Sequence, residues 1–165
     1  VIQSEGREPD GMNFHAACPV IEPSLESHRS FNVYKLPTEF KFLQDFDSSK
    51  FQAPSIYFFG GRNEEGIATN SLRRLIICRK PLTWTEVQVD GKPPSPRFGH
   101  SMNYFAPSNI LVIYGGRNDE RPEPYSCFDD IHILALEQKA WIHVTQHGIS
   151  PGPRFSHSAD IAGSK

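Results

Sequence analysis

The stretch PRFGHSMNYFAPSNILVIYGG, residues 96–116, decides the fold. It joins an Arg-Phe-Gly-His-Ser string, Arg97 to Ser101, to the apolar run Ile110 to Tyr114, which ends on Gly115 and Gly116. A short run rich in Ile, Val and Tyr predicts a buried strand, and a glycine pair permits a sharp exit with positive φ. The string returns as PRFSHS from Pro153, so a single site of chemistry does not explain it.

Matching features recur at nearly one interval along the chain. The interval is 55 residues for Gly60 and Gly115, and 57 residues both for Trp84 and Trp141 and for Arg97 and Arg154. Such self-similarity indicates an internal repeat. Each unit predicts four consecutive antiparallel strands: one after Arg-Phe, one before Gly-Gly, a third beyond a polar loop and a fourth at the Trp. A four-stranded sheet cannot bury both faces alone, so we expect an all-β chain of stacked sheets.

Composition narrows the class of protein and its partners. The 12 Gly, 14 Pro and 12 Phe favour short strands and turns. A formal charge of -2 gives no electrostatic case for nucleic acid or an anionic membrane, so protein partners are expected. No apolar run approaches the length of a membrane span or a signal peptide. The 3 cysteines form no CxxC pair, which favours a reducing compartment, so we expect a cytoplasmic protein, with cytoskeletal, ciliary and nuclear settings left open.

The repeated residues resemble the signature of the kelch family of β-propellers. The resemblance implies that they pack one blade on the next, with the Arg of each unit bound to backbone or acidic groups of the neighbouring blade. The residues that carry it are Gly60, Gly61, Trp84, Arg97, His100, Gly115, Gly116, Trp141, Arg154 and His157.

The repeat also predicts the division of the chain. Residues 50–91 and 92–150 are expected to form one blade each, and residues 151–165 the first strand of a further blade. Residues 1–49 are interpreted as a degenerate or incomplete blade, with a strand one around His15, a strand three at Phe31 to Leu36 and Phe42 where Trp is expected. Propellers close with about four to eight blades, so this segment is expected not to close, and the remaining blades to belong to the same protein or another chain.

The same residue types also admit chemical interpretations. Ser101 beside His100, and Ser158 beside His157, suggest a nucleophile and a base, but adjacent strand residues point to opposite faces and the pair is repeated. His132 and His143 suggest a metal site, but two ligands do not make a zinc site. We therefore predict no catalytic, cofactor-binding or metal-binding residues.

The loops after the glycine pairs are the candidate binding surface. They are RNEEGIATNS, residues 62–71, and RNDERPEPYSCFDD, residues 117–130, which we call the first and second rim loops. Equivalent loops of stacked blades share a face, and recognition commonly resides on loops of a rigid scaffold. Tyr125 and Phe128 are predicted aromatic anchors. Likeness to kelch adaptors of ubiquitin ligases implies that Arg62, Asn63, Arg117 and Asn118 also face a partner; the alternative is ordinary solvated turns.

The function expected from these features is a non-catalytic scaffold for protein interaction, within a larger protein or assembly of cytoskeletal, ciliary or adaptor type. One alternative is the accessory propeller of a phosphatase, methyltransferase or ubiquitin-ligase subunit whose catalytic part lies outside these residues. A copper enzyme resembling galactose oxidase is a weaker rival, because Tyr104, Tyr114 and Cys127 match no such motif. A further possibility is a propeller that binds a small molecule or sugar in a polar pocket at its central channel.

Overall fold

A computed structural model describes residues 4–6, 15–20, 53–78 and 80–163. Those residues form no α-helix, and none of their elements is a helix long and apolar enough to cross a membrane. A short 3₁₀ turn lies at Ala106–Ser108. The strands are β1 (Ser4–Glu5), β2 (Ala16–Val20), β3 (Ser55–Phe59), β4 (Leu72–Ile76), β5 (Leu82–Glu86), β6 (Ser101–Phe105), β7 (Ile110–Tyr114), β8 (Ile131–Ala135) and β9 (Ala140–Ile142).

The strands form two sheets. The first has the order β1-β5-β4-β3-β2, with β2 to β5 antiparallel and β1 added in parallel to the outer edge of β5. The second is antiparallel in the order β6-β7-β8-β9, and Asp90 bridges its outer strand at Ala140 in the same parallel sense as β1. The all-β prediction of stacked, unclosed four-stranded blades is confirmed.

One edge strand of the first sheet, β2, comes from the segment predicted to be a separate blade. β2 pairs with β3 along its full length, from Ala16 opposite Phe59 to Val20 opposite Ser55. The prediction that residues 1–49 form a blade of their own is therefore corrected for residues 16–20. These residues pair with β3 and belong to the same sheet as residues 55–59. The interpretations of Phe31 to Leu36 and of Phe42 fall outside the described residues. Residues 151–163 form no strand.

One apolar core lies between the two sheets. Tyr57 and Phe59 of β3 alternate with half-buried neighbours and face the second sheet. Leu111 and Ile113 of β7 meet them, and both are fully buried. Trp141 completes this layer, with its ring 5.5 Å from the ring of Phe59 in an edge-to-face contact. Full burial of such side chains contributes about 2 kcal/mol each, so this layer holds the sheets together.

Each sheet also carries a second apolar face that is only half covered in the described residues. On the first sheet, Trp84 lies beside Phe58 with ring centroids 5.0 Å apart, on the face away from the core. On the second sheet, Val112 and Tyr114 alternate with the core residues of β7 and are half-buried. An apolar row on both faces is what a blade in the middle of a stack requires.

Candidate partner-binding surface

The two rim loops begin with the same backbone hydrogen bonds. The amide of Gly60 donates to Ser71 at 3.1 Å, and the amide of Gly115 donates to Asp130 at 3.2 Å. At both glycines φ is positive, and a Cβ would lie 2.5 Å from the Arg97 carbonyl oxygen or 2.6 Å from that of Arg154. The glycines therefore close the base of each loop and let the next Arg-Phe string approach.

Arg97 joins the two sheets. Its amide donates to the Thr69 carbonyl at 3.0 Å and its carbonyl accepts from Gly61 at 2.9 Å, both in the first sheet's rim loop region. Its fully buried guanidinium donates to Gly115 O at 2.9 Å and to both carboxylate oxygens of Asp130 at 2.6 and 2.9 Å. The resemblance implied that this Arg pairs with backbone or acidic groups of the neighbouring blade. The main chain of Arg97 makes the contact with the neighbouring sheet, whereas its acidic partner, Asp130, lies in the unit to which Arg97 itself belongs.

Burial alone would raise the pKa of Asp130. The hydrogen bonds and charges of Arg97 and His132 outweigh that effect and hold the pKa of this carboxyl well below its usual range. His132 Nε2 lies 2.8 Å from Asp130 Oδ2, so this histidine has a carboxylate partner within its own sheet. No group of three or more His, Cys, Asp or Glu in the described parts of the chain is arranged to hold a metal ion.

The backbone role of Arg97 is repeated at Arg154. Its amide donates to Phe128 at 3.1 Å, and its carbonyl accepts from Gly116 at 2.8 Å. Its exposed guanidinium binds the carbonyl oxygens of Gly152 and Pro151, and no carboxylate of the described residues pairs with it.

His100 and His157 also occupy equivalent places but differ in hydrogen bonding. His157 Nε2 lies 3.1 Å from the Ser101 hydroxyl. Strand register places Ala16 where Ser101 stands, because Ala16 is opposite Phe59 and Ser101 is opposite Tyr114. Alanine offers no hydroxyl, and neither ring nitrogen of buried His100 has a partner among the described residues. Burial, with smaller contributions from nearby positive charges, lowers the pKa of His100 to about 3.

The predicted contact residues Arg62 and Arg117 are brought together. Both guanidinium groups bind the carboxylate of Asp119, and Arg117 also donates to Glu123 at 3.0 Å. Hydrogen bonding to Asp119 raises the pKa of Arg117. Each arginine also stacks on the Phe of the following Arg-Phe string: Arg62 lies 3.9 Å from the Phe98 ring centre, and Arg117 lies 5.3 Å from that of Phe155. These arginines therefore fix the rim loops against one another.

Asn63 and Asn118 shape the loops. The side-chain oxygen of Asn63 accepts from the Ile67 amide at 2.9 Å. That of Asn118 accepts from the Glu120 amide at 2.9 Å, and the Asn118 side chain is buried. Short polar side chains commonly cap turns in this way.

The two predicted aromatic anchors lie in different environments. Tyr125 is 65% exposed, whereas Phe128 is only 7% exposed. The Phe128 ring contacts two guanidinium groups, with its centre 4.0 Å from that of Arg97 and 4.5 Å from that of Arg121. Phe128 therefore supports the second rim loop from inside, and Tyr125 is the aromatic side chain that this loop presents.

A family model described as the KLHDC2/KLHL20/DRC7 Kelch-repeats domain matches residues 49–165. The chain belongs to the kelch-repeat family. The predicted resemblance to the kelch family is thereby confirmed.

Three relatives illustrate the range of proteins that the chain is similar to. It is 33% identical over 109 residues to acyl-CoA-binding domain-containing protein 5 of Arabidopsis thaliana, covering 66% of this chain and 16% of that protein. It is 32% identical to dynein regulatory complex subunit 7 of Chlamydomonas reinhardtii, and the match covers 60% of this chain and 8% of that protein. It is 30% identical to the mouse Rab9 effector protein with kelch motifs, and this match covers 67% of this chain and 28% of that protein. The chain thus spans less than a third of each relative.

A solved structure shares the fold. A chain in the cryo-EM structure of RAG in complex with one melted RSS and one unmelted RSS superposes with a TM-score of 0.50 at 17% identity. The match covers 80% of this chain and 35% of that chain. At this identity the likeness shows a common fold alone.

The second rim loop of this kelch chain borders an open groove of about 480 Å³. Its lining includes Ser95, Arg121, Tyr125, Asp129 and Pro153. We call it the Tyr125 groove. Arg121 and Asp129 were not predicted from the sequence as contact residues. They flank Tyr125 and Phe128 along the chain, and this proximity could have indicated them.

Proposed function

We propose that this kelch chain binds a partner protein through its rim loops and serves as a non-catalytic scaffold within a larger protein or assembly. The observation that carries the proposal is the exposed Tyr125 side chain on a loop in which several other polar side chains are internally bonded. Ser126 Oγ donates to Glu123 at 2.7 Å, and Asn118 and Arg117 anchor the start of the loop. A large side chain on a preorganised loop loses little conformational entropy on binding, which favours affinity.

The setting is proposed from the names of the relatives. Dynein regulatory complex subunit 7 is named as part of a complex, and the Rab9 effector is named for another protein. These names support a cytoplasmic role in an assembly, of cytoskeletal or ciliary type in the first case and of adaptor type in the second.

A second arrangement is a kelch unit attached to a different functional domain. It is supported by the acyl-CoA-binding domain-containing protein, of which this chain matches only 16%. In that arrangement the rim loops have the same binding role, and any catalytic group belongs to the other domain.

The proposal is tested in the full-length protein with Tyr125→Ala. Affinity purification from cells, quantified by mass spectrometry, should show reduced recovery of specific partners. Ile142→Ala is the matched control, because Ile142 is an exposed apolar residue on β9 outside the rim loops. Equal recovery with both variants and with wild-type protein, all with the same melting temperature, would remove the second rim loop from the binding surface.

A further inference from the structure

We propose that the Tyr125 groove binds a basic peptide segment of the partner, with a Lys or Arg side chain directed at Asp129 and an apolar side chain packed on Tyr125. This inference rests on the proposed function and specifies the partner's chemistry.

The groove is lined by described residues of this chain. Ser95 and Pro153, which precede the successive strings at Arg97 and Arg154, line it together with residues of the second rim loop. The buried Phe128 ring supports the groove, because it contacts the guanidinium groups of both Arg97 and Arg121. The apolar surfaces of Pro124 and Tyr125 therefore face an open groove on a rigid support.

The charge of the second rim loop selects the partner. Residues 117–130 contain two arginines and five acidic residues, a formal charge of -3, whereas the whole chain carries -2. Asp130 is neutralised by Arg97, and Asp119 and Glu123 are bound by Arg117. Of the other charged side chains, Arg121 offsets one of the two exposed carboxylates, Glu120 and Asp129, so the loop keeps a surplus negative charge. Asp129 lies beside the groove, and among the described residues its carboxylate accepts a single 3.4 Å bond, from Ser150. Complementary charge at a rim favours a cationic partner and speeds its association.

The first rim loop provides an internal comparison. The amides of Thr69 and Phe128 make equivalent bonds to Gly61 and Gly116, so the residues that follow them, Asn70 and Asp129, correspond. At the two positions the first loop has Thr and Asn where the second has Phe and Asp. The aromatic support and the carboxylate are thus specific to the second loop, and Asn70 is a matched control position.

The test uses three pools of synthetic peptides of equal length. Fluorescence anisotropy measures the binding of each pool to the full-length protein. One pool places Lys or Arg beside Leu or Tyr. The other two place Asp or Glu, or Ser or Gln, in the same positions. We expect the basic pool to bind best and Asp129→Lys to weaken it at least about tenfold, since reversing a groove charge costs about 1.4 kcal/mol or more. Asn70→Lys should leave binding within about twofold.

Equal binding of the three pools, or tighter binding of the acidic pool, overturns the inference. An equal loss with Asp129→Lys and Asn70→Lys also overturns it, because the effect would then be one of net charge. Purification of the natural partner separates this inference from the proposed function. If Tyr125→Ala lowers recovery and Asp129→Lys does not, the rim loop binds a partner but not through a basic segment. If neither variant lowers recovery, the proposed function itself fails.

Discussion

The guanidinium of Arg97 donates hydrogen bonds to both carboxylate oxygens of Asp130, at 2.6 and 2.9 Å, while its backbone is hydrogen-bonded to the preceding sheet. One residue thus links the first sheet, the base of the second rim loop and the start of β8. In its sequence, the first unit has neither residue of this pair. Ser71 corresponds to Asp130 through the equivalent glycine bonds, and Met12 stands three residues before His15, as Arg97 stands three residues before His100.

Asp130→Asn should destabilise the protein by about 3 kcal/mol. Removing one member of a buried ion pair leaves the other charge uncompensated, and the partly exposed Asp130 places the cost at the low end of the usual range. Urea unfolding measures the change. The double variant Arg97→Met with Asp130→Ser copies the sequence of the first unit and should cost less than the sum of the single variants. Additive costs would show that the pair is not coupled.

Ala16→Ser should stabilise the protein by about 1 kcal/mol, the usual net value of one hydrogen bond. The new hydroxyl would reach His100 as the Ser101 hydroxyl reaches His157 at 3.1 Å. Ser101→Ala is the reciprocal variant and should lower stability by a similar amount. Thermal melting of both variants checks the pair. A neutral or destabilising Ala16→Ser would contradict the equivalence of the two histidines.

The free energy of unfolding should decrease as the pH falls below about 6.5, which is the pKa of histidine in the unfolded chain. The pKa of His100 is lowered to about 3, mainly by burial and then by the charges of Arg97, His157 and His15. The folded state therefore binds this proton less readily than the unfolded chain, and the contribution present above 6.5 is lost on acidification at up to about 1.4 kcal/mol per pH unit. His157, whose pKa is also lowered, adds in the same direction.

His100→Gln removes one of these titrating groups. Urea unfolding at several pH values between about 7.5 and 5 should show a shallower slope for the variant than for wild-type protein. Because the slope is compared, a change in absolute stability does not affect the result. Parallel slopes would exclude His100 as a source of acid sensitivity.

Gly60→Ala should cost about 3 kcal/mol or more, since the added carbon would lie 2.5 Å from the Arg97 carbonyl in a positive-φ backbone. Gly66→Ala is the control for conformation alone. Gly66 has φ +79° and nothing within 4 Å of a Cβ, so its substitution should cost only about 1 kcal/mol. Chemical denaturation of both proteins gives the comparison. Equal costs would mean that close approach of the next string does not require Gly60.

Those features of the structure that are repeated along the chain could be predicted from the sequence. The glycine pairs and Arg-Phe-x-His strings recur with fixed spacing, so the kelch fold and the common face of the rim loops could be predicted. Pairing of β2 with β3 could not, because residues 21–54 intervene and the first string lacks its arginine. The burial of Phe128 was equally hidden, since it depends on Arg97 and Arg121 converging on one ring.

Site-specific photo-crosslinking at Tyr125 in the full-length protein tests the binding role most directly. A photoreactive phenylalanine analogue is placed at Tyr125 in one sample and at Ile142 on β9 in another. We predict that the Tyr125 probe captures a partner protein at a peptide that contains Lys or Arg, and that the Ile142 probe does not. A partner that copurifies with both proteins but crosslinks only at Ile142 would contradict the account.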